Sequence, residues 1–357
     1  MTPLRVPHPH FVEMPALSRR RAASREYQKG FTLVELMVAL VLSLLIVLAA
    51  TAALLVARQG FTAVDAASQL RDNTRFAQDI IQRVGVQTGF KTLAYIANPA
   101  AVSNTQGIPT NIPPNVYGLN NASRTPSDAW TAGTSRSSGS VGYGSDILVL
   151  RFQPNASDTD ATKSDGSMID CSGNAPTAAP ANIDDQSVSI LHVGVDADGE
   201  PSLMCSRSDT GSAPYDTQPL VRGVENFQVL YGVDGIGPGN TTVPIPATAS
   251  DTIPERYLRA DQLTVAGNQA ATYANWKKVR SIRIGMVVRA APNTAVDNSM
   301  HTYYPLGETK DSSGGTIGSA FANATSDPGT VFTPAADGRM RQVVTFIVHL
   351  RNAQENN

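Results

Sequence analysis

The chain has little of what a catalytic or metal site needs. It holds two cysteines and five histidines in 357 residues, and 16% of its residues are charged. No Cys-x-x-Cys pair or zinc-like Cys/His spacing occurs, and Gly-x-Ser-x-Gly and Walker patterns are missing. We therefore predict no enzyme activity, cofactor or metal. Of the histidines beyond residue 30, which are His192, His301 and His349, we expect the first and last to be ordinary strand residues.

Two acidic turns, 196–200 and 158–165, hold oxygen ligands of the type that calcium prefers. Neither has the spacing of an EF-hand, and Asp-Gly pairs are common in turns. Calcium binding therefore stays open on the sequence alone.

Positive charge is also scarce. Residues 1–30 hold six basic and two acidic residues, so 22 basic and 28 acidic residues remain beyond them, a net charge of −6. Nucleic-acid binding relies on Lys and Arg to neutralise phosphates, so this balance argues against it. We interpret the local basic cluster as charge that protects a strand edge from aggregation, with a DNA contact as the alternative; the cluster is Lys277, Lys278, Arg280 and Arg283.

No proline occurs between Pro15 and Pro99, which predicts one uninterrupted helix from about residue 31 to 87. Its first part, residues 31–57, is apolar apart from Glu35. A helix over that run is about 40 Å long, more than the ~30 Å of a bilayer core. We therefore predict a membrane-spanning helix, and we expect its single carboxylate to have a function because a charge is costly in lipid.

The stretch from Lys29 to Glu35 resembles the processing site of type IV prepilins, in which a basic leader ends in Gly and is followed by Phe and a later Glu. The resemblance implies that a prepilin peptidase cuts between Gly30 and Phe31 and methylates the new amine of Phe31. An uncleaved signal anchor is the alternative, and a start at Met14 would leave a 17-residue leader. The basic residues place the N-terminal side in the cytoplasm; they include Arg19, Arg20, Arg21, Arg25 and Lys29.

The same resemblance implies a role for Glu35 in assembly. Its carboxylate would neutralise the new amine of a neighbouring subunit and so set the register in which subunits add. Buried charges without partners cost several kcal/mol, so this pairing would favour docked subunits strongly. The alternative is an acid that snorkels to the membrane interface.

Residues 58–89 are predicted to continue the helix with an amphipathic pattern, ending near Gly85 and Gly89. Their apolar stripe is Val64, Ala67, Leu70, Thr74, Ala77, Ile81 and Val84. Beyond residue 90, alternating apolar residues predict an antiparallel sheet with one buried and one wet face. The fold class is thus α+β, a long helix packed on a sheet domain; the predicted strands are Asp146–Phe152, Ser187–Val195, Ser202–Cys205, Val224–Val233, Val279–Arg289 and Gln342–Leu350.

Four long polar stretches, at about 98–142, 154–182, 236–252 and 293–336, exceed ordinary loop lengths and predict binding loops or partial disorder. Cys171 and Cys205 both fall in the part expected beyond the membrane. An oxidising periplasm would favour a disulfide between them.

The globular part resembles the PilW-type minor pilins, and the cysteines flank its middle section as they often do in that family. The resemblance implies leader residues 1–30, a filament-core helix 31–57, its continuation 58–89 and a periplasmic domain 90–357. It also implies a structural role in priming or capping type IV pilus assembly, with prepilin peptidase, other minor pilins, the major pilin and a tip adhesin as partners at the inner membrane and in the pilus. A type II secretion pseudopilin, or a tip adhesin or DNA-uptake module, is the alternative. The matching stretches are Asp72–Ala77, Asp146–Arg151, Gln218–Gly232, Trp276–Arg289 and Arg341–Asn352.

Overall fold

The computed structural model divides into two compact units, Met1–Val56 and Ala57–Asn357. The described residues are 30–92, 113–182, 185–236, 253–295, 297–310, 316–319 and 327–352. Residues 1–29, in the predicted leader, and the polar stretches 98–112, 237–252, 311–315 and 320–326 lie outside the described residues.

The predicted uninterrupted helix is confirmed as α1, Leu33–Gln87. Gly89 follows it with a φ of +81°, the left-handed conformation in which helices commonly end. The side-chain amide of Asn352 donates hydrogen bonds of 3.1–3.3 Å to the carbonyl groups of residues 86–88. Because the last carbonyls of a helix lack partners within it, the end of the chain caps α1.

The amphipathic half of α1 packs its stripe into the core as predicted, except at its start. Val64 is 72% exposed and Ala67 half-buried, and Ala66 is buried in their place. A helix turns about 100° per residue, so Val64 lies about 120° around the axis from Leu70 and Ala66 lies almost below it. The buried residues are Ala66, Leu70, Thr74, Ala77, Ile81, Val84 and Gly85.

Thirteen strands occur in the described residues, and their pairings are antiparallel. They are β1 (Val116–Leu119), β2 (Ala122–Ser123), β3 (Thr134–Ser135), β4 (Ile147–Phe152), β5 (Ser187–Val195), β6 (Pro201–Ser208), β7 (Asp216–Arg222), β8 (Val224–Val233), β9 (Arg256–Leu258), β10 (Val279–Arg289), β11 (Glu308–Lys310), β12 (Thr316–Ser319) and β13 (Arg341–His349). Helices α2 (Ala260–Leu263) and α3 (Gln269–Trp276) lie between β9 and β10 in the chain.

The strands form two main sheets rather than the single sheet that the alternation suggested. The first has the order β1-β4-β5-β6-β7 and the second β13-β10-β8-β9, while β2-β3 and β11-β12 form separate pairs. The six predicted strands are confirmed as β4, β5, β6, β8, β10 and β13, and the α+β class is confirmed. The short or polar elements β1, β7, β9, α2 and α3 were not predicted, because they lack the apolar alternation that marks a strand or the length that marks a helix.

The expectation of one wet face is wrong for the central strands. All ten residues of β8 and all six of β4 are buried. In β10 the predicted face of Ile282, Ile284 and Met286 is buried, but Gly285 on the opposite face is covered too. A Cβ at Gly285 would lie 2.3 Å from the carbonyl oxygen of Pro305, so the chain after β10 crosses that face.

Asp146 joins the two sheets. Its N–H donates to the carbonyl of Phe227 at 2.8 Å, and its carboxylate accepts from the N–H of Val229 at 2.8 Å and of Asn121 at 3.0 Å. Strand β9 pairs with β8 only at Tyr231–Val233. The carboxylate of Asp146 therefore accepts a hydrogen bond from a part of the β8 edge that β9 does not cover. Burial raises the pKa of Asp146 well above its usual value.

A disulfide joins Cys171, in the polar stretch before β5, to Cys205 in β6, with a Cα–Cα distance of 5.8 Å. Both residues are fully buried, and the N–H of Cys171 donates to Ser189 at 3.0 Å. The bond anchors the long stretch 154–182 to the first sheet.

Breaking this disulfide should destabilise the globular unit. Replacing both cysteines by serine is expected to cost about 3–4 kcal/mol, because a loop across 34 positions is no longer closed in the unfolded chain. Urea unfolding of the full chain in detergent, followed by Trp130 and Trp276 fluorescence, measures the loss. Reductant added to the unsubstituted protein should lower the midpoint similarly, and an unchanged midpoint would contradict the prediction.

A second buried acid, Asp327, gives a pH-dependent prediction. Burial raises its pKa to about 7, and one of its carboxylate oxygens has no hydrogen-bond partner among the described residues. The folded state therefore holds this proton more tightly than the unfolded chain, where the pKa is about 4, and stability falls as the pH rises from about 4 to 7.

Asp327→Asn should remove the loss of folding stability that comes from ionising this buried carboxyl group as the pH rises. We expect the variant to be more stable than the unsubstituted protein at pH 8, by up to about 4 kcal/mol, with a smaller difference at pH 5. Unfolding midpoints at the two pH values test this. A variant less stable at pH 8 would show that Arg259, which lowers the pKa of Asp327, holds it as a favourable ion pair.

Candidate assembly site

The predicted cleavage site lies immediately before α1 and is open to solvent. Gly30 is exposed, with no atom beyond its two chain neighbours within 4 Å of the position of a Cβ, and Phe31 is 86% exposed. Neither residue is helical, since α1 begins at Leu33. The peptide bond between them is therefore accessible to an enzyme.

Thr32 holds Glu35 at the start of α1. The N–H of Thr32 donates to Glu35 Oε2 at 3.0 Å and its hydroxyl does so at 3.1 Å, while the N–H of Glu35 donates to the Thr32 hydroxyl at 3.3 Å. This reciprocal arrangement is a capping box, which satisfies donors that the first turn leaves free. The Thr-x-x-Glu spacing indicates this capping box in the sequence, although the role predicted for Glu35 does not involve Thr32.

The capping box uses one oxygen of the carboxylate. Both bonds from Thr32 reach Oε2, and among the described residues no donor contacts Oε1. Glu35 thus has a local role in helix capping and still offers an oxygen to an outside cation.

The apolar part of α1 has no other charge. Its residues from Leu33 to Val56 are exposed, and by length and composition the helix could cross a membrane, with a mean hydropathy of 2.8 in its most apolar window. The hydroxyls of Ser43 and Thr51 donate to carbonyls one turn earlier, at 2.9 and 3.0 Å. These polar groups are therefore satisfied inside the helix, as lipid requires.

The three histidines in the part of the chain that the structure describes lie on separate elements. His192 is buried in β5, where its Nε2 lies 3.0 Å from the hydroxyl of Ser206. Burial, with a smaller effect of Arg124, lowers its pKa to about 3, so the ring is neutral. His301 pairs with Asp297 at 3.4 Å on an exposed loop, and His349 ends β13.

The acidic turn 196–200 binds arginines. Asp196 and Asp198 each lie 2.9 Å from the guanidinium of Arg222. Glu200 accepts from Arg289 at 2.8 Å and from Arg339 at 2.9 Å, and the bond from Arg289 is the largest cause of its lowered pKa. No group of three or more His, Cys, Asp or Glu residues suited to a metal occurs in the described part of the chain, which includes 158–165.

The basic cluster does not lie on a strand edge, so that interpretation is wrong. Lys277 and Lys278 precede β10, and Arg280 and Arg283 lie within it, between β13 and β8. The four side chains are half-buried, and Arg280 lies 3.6 Å from Asp234. Two of the four cations thus lie inside the second sheet and the other two lie just before β10, and all four are partly covered.

Two family models match the chain. Residues 190–352 match the type IV pilus-assembly protein W family, PilW, and residues 25–51 match the prokaryotic N-terminal methylation motif. The first match contains three of the five stretches that suggested PilW. The other two, Asp72–Ala77 and Asp146–Arg151, lie outside it.

Comparison with curated proteins gives no match. Among solved structures, the chain is similar to a type IV-like pilin from Thermus thermophilus, with 12% identity, a TM-score of 0.34, and coverage of 80% of this chain and 98% of that chain. The assignment rests on the two family matches and on the exposed apolar helix that carries the methylation motif. The chain is a type IV pilin-related protein that carries a PilW domain.

Proposed function

We propose that this chain is a minor pilin that primes or caps assembly of a type IV pilus in a complex with other minor pilins and the major pilin. The observation that carries the proposal is the coincidence of the methylation motif at 25–51 with a PilW match at 190–352 in one chain. No step of this function turns over a substrate. The protein acts by presenting surfaces to other subunits.

Processing would release residues 1–30. The accessible bond between Gly30 and Phe31 supports cleavage by a prepilin peptidase, followed by methylation of the Phe31 amine. Before assembly the chain would cross the inner membrane once, through the helix 31–57, with its N-terminus in the cytoplasm and residues 90–357 in the periplasm. Residues 58–89 would connect the two, and the buried disulfide suits an oxidising periplasm.

Glu35 would set the register of assembly. Cleavage leaves a positive amine on Phe31 in an apolar environment, where an unpaired charge is costly. Thr32 orients the Glu35 carboxylate through Oε2, which leaves Oε1 for the amine of a neighbouring subunit. The cap and the pairing are therefore compatible in one side chain.

Deletion of the gene tests the proposal against its alternatives. Loss of surface pili and of twitching supports a priming role. Normal pili with poor attachment would indicate a tip adhesin, and normal pili with lost protein secretion would indicate a pseudopilin. The half-buried basic cluster around Arg280 gives the DNA-uptake alternative little support.

Substitutions of Glu35 separate the two roles of its carboxylate. Glu35→Gln keeps a side chain that completes a capping box but removes the charge, whereas Glu35→Ala removes both. We expect both variants to be cleaved and both to enter pili at least tenfold less than the unsubstituted protein, because each lacks the ion pair. Immunoblots of sheared pili and of membranes measure incorporation and cleavage.

Normal incorporation of Glu35→Gln would contradict the pairing role and leave only helix capping. Thr32→Ser is the matched control. It keeps the hydroxyl, so its cleavage and incorporation should equal those of the unsubstituted protein.

A further inference from the structure

Strand β13 forms one edge of the second sheet. It is nine residues long, and it pairs with β10 from Arg341 to His349 without a register shift. On its other side no strand pairs with it in the part of the chain that the structure describes. Thr345 and His349 are exposed along this edge.

The pairing shows which backbone groups point outward. Residues 290 and 340 are joined by a backbone hydrogen bond of 2.8 Å, and residues 350 and 280 by one of 3.0 Å. In an antiparallel ladder every second residue bonds to the same neighbour, so the even-numbered residues of β13 face β10. The N–H and C=O groups of Val343, Thr345 and Ile347 therefore point away from the sheet, and they have no hydrogen-bond partner among the described residues.

The other edges of the two main sheets are protected, whereas this one is not. Strand β7 contains Pro219 and has a register shift in its pairing with β6. Strands β1 and β9 are four and three residues long. Natural sheets block free edges with prolines, charges, irregular pairing or short strands. Between Arg341 and His349, β13 has no proline, charge or bulge, and it is rich in β-branched residues.

We infer that this free edge of β13 binds an extended strand from a neighbouring pilin subunit. The inference rests on the proposed function, which places other subunits beside this one. An open row of alternating donors and acceptors is matched by another extended polypeptide, as in strand addition to a sheet edge. The uncharged outward positions Val343, Thr345 and Ile347 suit an uncharged, β-branched partner segment.

Charge argues that the occupant is another subunit and not a second copy of this chain. A symmetric antiparallel pair of β13 strands centred on Thr345 would place Arg351 opposite Arg339 and His349 opposite Arg341. Arg351 is exposed and has no ion pair among the described residues, so self-pairing would give it no acidic partner. A partner strand with a carboxylate opposite Arg351 would give this arginine an ion pair.

Proline at position 345 tests the edge selectively. Thr345→Pro removes an outward N–H and leaves the hydrogen bonds to β10 intact, because that N–H does not face β10. Thr345→Val is the matched control. It keeps the N–H and loses the hydroxyl, which donates to the carbonyl of Pro305 at 2.6 Å.

The readout is cross-linking in living cells from a photoreactive amino acid at His349 in the full-length chain. We expect an adduct to a strand of another protein with a prepilin motif, retained in Thr345→Val and reduced at least tenfold in Thr345→Pro. An adduct undiminished in a folded Thr345→Pro protein, an adduct only to a second copy, or no adduct would overturn the inference.

Amide hydrogen exchange keeps the test decisive if Thr345→Pro does not fold. In the full-length protein alone, the amides of 343, 345 and 347 should exchange faster than those of 344 and 346, and they should become protected in the cross-linked complex. Unchanged exchange at 343, 345 and 347 would overturn the inference. Pilus counts after gene deletion report separately on the proposed function, so the two can fail independently.

Discussion

Burial of apolar surface by α1 is the interaction on which the rest of the structure depends. From Ala66 to Gly85 the helix buries a stripe of small and aliphatic side chains in the core of the globular unit. From Leu33 to Val56 its apolar side chains are exposed, with Leu44 at 70%. Lipid and, in the proposed filament, other helices would cover that surface. A sequence without proline over this length lets one helix meet both demands.

Buried polar and charged side chains join separate parts of the globular unit. Asp146 ties the first sheet to the open edge of β8, and Glu200, in the turn before β6, bonds to Arg289 at the end of β10. Removing one partner of a buried pair leaves an uncompensated charge, so such joints tolerate little change.

Periodicity in the sequence was enough to predict α1 and six strands, because apolar residues at helical or alternating spacing fall on one face of a helix or strand, where they can be buried in a core. It misplaced the start of the helix stripe, since Val64 and Ala66 are both apolar and only the angle to Leu70 distinguishes them. It could not show that two sheets form, because the strand order depends on pairings between distant parts of the chain, and it could not show that the distant Pro305 covers the second face of β10. At the N-terminus the motif gave Gly30, Phe31 and Glu35, and the Thr-x-x-Glu spacing also indicates the Thr32 cap.

The intact mass of the protein from membranes, with and without prepilin peptidase, shows whether the chain is processed as a prepilin. We expect a chain that begins at methylated Phe31 when the peptidase is present and keeps its leader when the peptidase is absent. An unprocessed chain in both strains would contradict this expectation. The protein would then be a signal-anchored domain, and the pairing of Glu35 with a neighbouring amine would have no basis.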